Sequence, residues 1–261
     1  MNFPVLLFSE FIGVVAVIRI LSITPALKNR RRLNFKYPGR EGGAALSIGV
    51  LIVVATAALV RVAGADIAQA GQFSWYPSLL GAPALPAITP AAIAAQIFFT
   101  AALVLIVAAS VYLRKQPLLS IGLGRNTQAG LQLGLALALL TIFIHGKISL
   151  IIRGMAGSGT NALIMAVLTV VGEEVVFRGY IQPRLSSWLG DWRGLLATAG
   201  LSLAWWSVVA IGFLPLTGLA LVGAIIYRLL LEVLLGWLMK ESNSLLAPVI
   251  YHLAHLWVAF L

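Results

Sequence analysis

The chain has 261 residues, of which 61% are hydrophobic and 10% are charged, and its mean hydropathy is +1.00. Soluble domains are about 45–50% apolar and about 25% charged, so this composition excludes an ordinary soluble protein and indicates one that crosses a membrane several times. Cysteine is absent, which excludes disulfides and thiolate sites, and the formal net charge is +10.

Apolar stretches of about 20 residues, the helix length that crosses a bilayer of roughly 30 Å, recur along the whole chain. They predict an all-α fold, a bundle of about eight transmembrane helices that forms one integral membrane domain. Residues 1–128 would supply N-terminal helices and basic loops, and residues 129–261 the core that carries the chemistry. The predicted spans, in chain order, are 3–27, 44–62, 90–113, 129–152, 161–180, 194–212, 217–239 and 244–261.

Basic residues are concentrated after the first and third predicted spans, and none lies between residues 64 and 90. Because Lys and Arg in short loops favour the cytoplasmic side, we expect these two loops in the cytoplasm, segment 64–90 outside, and the protein in the cell membrane. Anionic lipid headgroups are the expected partners of the basic loops. A nucleic-acid partner is not expected, because it would require basic and aromatic residues interleaved on a soluble face. The basic residues after the first and third predicted spans are Lys28, Arg30, Arg31, Arg32, Lys36, Arg40, Arg114, Lys115 and Arg125.

Two residue pairs predict contacts within the membrane. Gly130 and Gly134 lie one turn apart in the fourth predicted span, a spacing typical of a face where two helices pack closely. Arg228 and Glu232 lie one turn apart in the seventh, where they would compensate each other's charge, and they could also line a cavity.

Glu173, Glu174 and Arg178 lie inside the fifth predicted span, in a chain that has only 8 acidic residues. A carboxylate at membrane depth costs roughly 2.5–3.5 kcal/mol on insertion scales, so two adjacent ones indicate a function. The spacing of Glu174 and Arg178 suits an ion pair, whereas Glu173 points about 100° away and is free for another task. A purely structural pair that holds two helices together is the alternative.

Two segments resemble a known family of membrane endopeptidases. Residues 172–185, GEEVVFRGYIQPRL, look like the first motif, EExxxR followed by Gly, of the CAAX protease and bacteriocin-processing family, which includes the Ras-converting prenyl protease. Residues 244–256, SLLAPVIYHLAHL, look like its final motif, in which a small-Leu-x-x-Pro stretch leads into HxxxN. The family's architecture is also similar to a bundle of eight helices.

The resemblance implies a role for each matching residue. Glu173 would be the base that activates water, with Glu174 and Arg178 as its support, and His252 would stabilise the oxyanion. Peptide hydrolysis needs such a base and a preorganised donor for the developing negative charge. The implied activity is cleavage of a protein or peptide near the cytoplasmic face of the membrane.

The chain departs from the family pattern in two motifs. Trp206 stands where the middle motif FxxxH has its His, and Ser202 where that motif has its Phe. Leu256 stands where the final motif has Asn, and His255, one residue earlier, could partly substitute for it.

The His pair leaves two further interpretations open. His252 and His255 share a helical face and could bind a divalent metal together with Glu173 and Glu174. Alternatively, both are interior histidines bonded to backbone or water.

Three functions therefore compete. An intramembrane endopeptidase is supported by the glutamate motif. An inactive relative that acts as a membrane scaffold or partner-binding protein is supported by Trp206 and Leu256. A small transporter is supported by none of these residues.

Overall fold

In the computed structural model, residues 3–23, 35–69, 90–124, 126–153, 157–213 and 218–260 are described. Their regular structure is helical throughout, so the predicted all-α fold is confirmed. The elements are α1 (Phe3–Leu21), α2 (Pro38–Gln69), α3 (Pro90–Leu113), a 3₁₀ helix (Leu118–Ile121), α4 (Thr127–Ile144), α5 (Ile148–Ile152), α6 (Gly157–Glu174), a π-helical segment (Val175–Ile181), α7 (Gln182–Leu189), α8 (Asp191–Phe213), α9 (Gly218–Ser242) and α10 (Leu246–Phe260).

Each predicted span falls on a helix, and within the described residues 5 helices are long and apolar enough to cross a membrane. The chain is thus an integral membrane protein of several spans. The crossing stretches are Pro38–Leu59, Ile93–Leu113, Thr127–Ile144, Thr160–Leu189 and Leu221–Ser242, and the apolar helix Leu246–Val258 is shorter.

The fourth predicted span is divided in the structure, and the predicted end of the first span, residues 24–27, lies outside the described residues. The fourth span was expected to continue to residue 152, but α4 ends at Ile144. Gly146 follows with φ of 65°, a left-handed conformation that an α-helix cannot continue through and that glycine adopts readily. The short helix α5 then begins at Ile148.

The last helix is central to the packing. Helix α10 contacts α4, α6 and α9, while α8 packs against α2, α7 and α9. Helix α1 lies on α4, and α3 lies on α6. Helices from both halves of the chain therefore surround α6 and α10, the two helices that carry the predicted site.

The predicted glycine face is confirmed. A Cβ atom added to Gly134 would lie 2.9 Å from the Cβ of Ile250 and 3.3 Å from the Cα of Ala247, and one added to Gly130 would lie 2.6 Å from the Cβ of Ser244. Only hydrogen fits at such distances, so the glycines let α4 approach α10 closely.

A π-helical segment separates the two glutamates from α7. Pro183, at the start of α7, has no N–H for the carbonyl of Gly179, and in a regular α-helix its ring would clash with that carbonyl. The backbone N–H of Gln182 instead reaches five residues back to the carbonyl of Phe177. Gly179 also allows a close approach, because a Cβ there would lie 3.2 Å from the carbonyl oxygen of Ile121. This contact gives a physical reason for the glycine that follows Arg178.

The orientation in the membrane stays a prediction, which single cysteines can test. We expect Arg31→Cys to be protected from an impermeant thiol reagent in intact cells and Gln72→Cys to be labelled, because the basic loops favour the cytoplasm. Both positions lie outside the described residues. The parent chain has no cysteine, so the unchanged protein is the control for labelling that does not depend on the introduced thiol. Labelling of position 31 with protection of position 72 would reverse the orientation.

Candidate active site

The structure brings the first and last motifs together. Glu174 ends α6 and His252 lies on α10, and both side chains are 0% exposed. The Nδ1 atom of His252 lies 2.8 Å from Oε1 of Glu174. The Nε atom of Arg178, in the π-helical segment, lies 3.6 Å from Oε2 of the same carboxylate. Glu174 therefore joins the expected ion pair with Arg178 to a direct contact with the histidine.

Glu173 has a different partner. Its Oε2 atom lies 2.5 Å from Nη2 of Arg228 on α9. Glu232, one turn further along α9, lies 2.5 Å from the same Nη2 atom and also forms an ion pair with Arg178. Arg178 further donates to the backbone carbonyl of Glu232 at 3.1 Å. The predicted pair of Arg228 and Glu232 thus exists, and it joins the site from a third helix.

We call these six residues the central network: Glu173, Glu174, Arg178, Arg228, Glu232 and His252. Their exposed fractions are at most 2%, so solvent does not stabilise these charges and only other groups of the protein can compensate them. Three carboxylates face two guanidinium groups, which leaves one negative charge in excess unless His252 carries a proton. Such a buried charge is costly at membrane depth.

Several polar atoms of the central network are buried without a hydrogen-bond partner in the part of the chain that the structure describes. Among them are Oε2 of Glu174, Nε of Arg178 and Nε2 of His252. An arrangement of this kind is where a protein accepts an ordered water or a polar group of a ligand.

The comparison with known families agrees with this arrangement. Residues 156–258 match the model of the Rce1-like type II CAAX prenyl endopeptidases. This part of the chain is similar to that family. The match contains α6 to α9 and nearly all of α10, and with them the whole central network. No curated protein and no solved structure gives a significant match.

Of the three positions that depart from the CAAX endopeptidase pattern, two lie in apolar surroundings. Trp206 and Leu256, 2% and 0% exposed, belong to one buried apolar cluster that also contains Phe177. Ser202, by contrast, is part of the polar side, since Nη1 of Arg178 lies 3.5 Å from its hydroxyl. The middle helix therefore gives the site the hydroxyl of Ser202, and the indole of Trp206 stands in the apolar cluster at the position of the family's imidazole.

His255, the expected substitute for the family's Asn, contacts a different carboxylate. Its Nδ1 atom lies 2.8 Å from Oε1 of Glu10 on α1, and its Nε2 atom contacts the hydroxyl of Tyr227. Sequence reasoning gave Glu10 no role, and nothing local to either residue signals a contact between positions 245 residues apart. The observed hydrogen-bond partners of His255 are therefore Glu10 and Tyr227, which are not members of the central network.

The expected metal ligands are divided in the same way. Within the described ranges, no three His, Asp or Glu side chains come together in a geometry that could hold a metal ion. Of the four candidates, Glu173 is held by Arg228, Glu174 by His252 and Arg178, and His255 by Glu10. A guanidinium group beside each glutamate disfavours a second cation there.

Proposed function

We propose that this chain is a CAAX-type membrane endopeptidase in which a glutamate activates water. The observation that carries the proposal is the contact of 2.8 Å between His252 and Glu174, which unites the two family motifs in one buried site. The match of residues 156–258 to the Rce1-like endopeptidase family supports the same activity.

In the proposed reaction Glu173 is the base. Its neighbour Glu174 is held by His252 and Arg178, whereas the observed ion pair of Glu173 engages only Oε2. Glu173 takes a proton from water as the water oxygen attacks the peptide carbonyl carbon. The proton then passes from Glu173 to the leaving amine as the C–N bond breaks, which restores the carboxylate.

His252 supplies the oxyanion donor. A proton on His252 balances the excess negative charge of the central network, and Nδ1–H then donates to Glu174. Nε2–H, which has no hydrogen-bond partner among the described residues, is left to donate to the carbonyl oxygen as it becomes negative. One such donor is worth about 3 kcal/mol in the transition state. Glu174 and Arg178 hold the imidazole in place.

The substrate we propose is a protein or peptide that reaches the site from the membrane. A prenylated protein and a peptide without lipid are both compatible with the central network, because the peptide bond is the group that the network would recognise.

Hydrolysis by the purified protein tests the proposal. A library of quenched fluorescent peptides, with and without a prenyl group, would be offered to proteoliposomes, with the Glu173→Gln protein as the blank. We expect cleavage by the wild type that survives EDTA. Wild-type cleavage no faster than the blank would refute the enzyme, and cleavage abolished by EDTA and restored by a divalent metal would replace the glutamate mechanism by a metal-dependent one.

A second candidate, an inactive relative that binds a partner, is favoured by one observation. Trp206 and Leu256, at the positions of the family's His and Asn, lie in one buried apolar cluster. Such a protein would retain the central network as structure, and its partner's behaviour would not change in Glu173→Gln.

Trp206→His separates the two candidates further. For the enzyme we expect cleavage to rise or stay unchanged, because the new imidazole can assist the base where indole cannot. Rates from the library assay, normalised to folded protein, give the comparison, and Trp205→His, in the same apolar cluster, is the matched control. A loss of cleavage in Trp206→His but not in Trp205→His would contradict the expectation and give the indole itself a role.

A further inference from the structure

A second buried cluster lies beside the central network and outside the proposed chemistry. Its centre is Glu10 on α1, which is 1% exposed. Oε1 of Glu10 lies 3.0 Å from the hydroxyls of Tyr251 and Thr141 and 2.8 Å from Nδ1 of His255, and Oε2 lies 3.0 Å from Nε2 of His145. We call these residues, with Tyr227 on His255, the Glu10 cluster.

No Lys or Arg pairs with Glu10 among the described residues; its ionic partners there are the two histidines. Arg19, the basic residue of the same helix, instead places its guanidinium 5.3 Å from the ring centre of Trp237. A carboxylate buried in this way is costly, and an apolar side chain would hold α1 against α4 at lower cost. The cluster is therefore poorly explained as a packing device alone.

The partners of Glu10 flank the central network in sequence. Tyr251 and His255 lie on α10 immediately before and three residues after His252, and both bond to the same Glu10 oxygen. Tyr227, the partner of His255, directly precedes Arg228 on α9. Two contacts at different heights on α10 fix the rotation of that helix about its axis, which a single contact would not do.

We propose that Glu10 is a positioning residue for the candidate active site: through Tyr251 and His255 it fixes the rotation of α10 and thereby holds Nδ1 of His252 against Glu174. The N-terminal helix, outside the family match, then contributes to the site without contacting substrate. The catalytic meaning of this inference rests on the proposed function, but the coupling between Glu10 and His252 does not.

The test uses the histidines themselves. The chain has 3 of them, and each has a glutamate partner. Histidine-selective ¹⁵N labelling in detergent micelles or nanodiscs therefore gives three pairs of ring signals, and His145→Gln and His255→Gln assign them by elimination. Glu10→Gln keeps the shape of the side chain, and Tyr251→Phe removes one hydroxyl and leaves Glu10 in place.

We expect the ring signals of His252 to shift in both Glu10→Gln and Tyr251→Phe, although the observed side-chain hydrogen bonds of Glu10 and Tyr251 do not include His252. Where cleavage is measurable, kcat should fall by about 10- to 100-fold, as for a misplaced catalytic group, with KM changed less than about twofold. Val14→Ala is the control, since Val14 is a buried apolar residue of α1, one turn from Glu10. It should lower the melting temperature and leave the His252 signals and kcat unchanged.

His252 signals that stay in place in both variants would overturn the proposal. So would equal shifts in Val14→Ala, because the effect would then come from the packing of α1 and not from the carboxylate. The ring signals report on the coupling even in a protein without peptidase activity, so a failure of the proposed function and a failure of this inference give different results.

Discussion

Glu173→Gln is expected to lower the rate of peptide cleavage by about 10²- to 10⁴-fold, the contribution of a positioned general base. Glutamine keeps the shape of the side chain but cannot accept the proton of the attacking water. The fold should persist, because Arg228 retains its contact of 2.5 Å with Glu232. The measurement is kcat/KM for the best peptide of the library, normalised to the fraction of protein that elutes as a single folded species.

Glu41→Gln is the matched control for this change. Glu41 lies at the start of α2 and pairs with Arg114 at 2.9 Å, outside the central network. Its replacement by glutamine removes one carboxylate and should leave kcat/KM within about twofold of the wild type, since no transition-state interaction is lost. Equal activity in Glu173→Gln and the wild type would remove Glu173 from the role of base.

Glu232→Gln should produce the largest loss of stability, about 3–5 kcal/mol, which is typical when one partner of a buried ion pair is removed. Glu232 is fully buried and pairs with both Arg178 and Arg228. Without it, the two guanidinium groups keep only Glu173 and Glu174 as carboxylate partners in the network, and the carboxylate that lies between them is lost. The free energy of unfolding, measured by steric trapping or SDS titration in mixed micelles, gives the size of the effect.

Glu241→Gln on the same helix is the comparison. Glu241 pairs with Lys240 at 3.0 Å, and both side chains retain some exposure, 12% and 19%. Partly exposed pairs contribute about 0–1 kcal/mol, so the loss should be several times smaller than in Glu232→Gln. Equal losses in the two variants would mean that the central network adds no special stability.

The sequence predicts those contacts of the site that join residues close together on one helix. Glu174 and Arg178 one turn apart, and Arg228 and Glu232 one turn apart, are visible as helical spacings, and both pairs exist. Which pair meets which depends on how α6 and α9 rotate against each other. One sequence does not contain that rotation, so the ion pair between Arg178 and Glu232 could not be predicted.

The expected position of His255 shows the same limit on a finer scale. Side chains three residues apart on a helix differ in direction by about 60°, which in sequence terms is one shared face. In the structure that angle is enough to give His252 and His255 different carboxylates, Glu174 and Glu10. The partner on α1 could not be predicted, because a single Glu in an apolar helix carries no information on what it faces.

The length of the π-helical segment between Val175 and Ile181 determines in which direction the side chains of the following helix α7 point. Deleting any one of its residues would move every later residue by one helical position and rotate α7 by about 100° relative to the acidic pair. The side chain of Gln182, which donates to the carbonyl of Gly236 at 2.7 Å, would then face other neighbours. The length of this segment therefore decides which neighbours α7 meets, and a chain with one residue fewer there would need a compensating insertion to keep the same helix contacts.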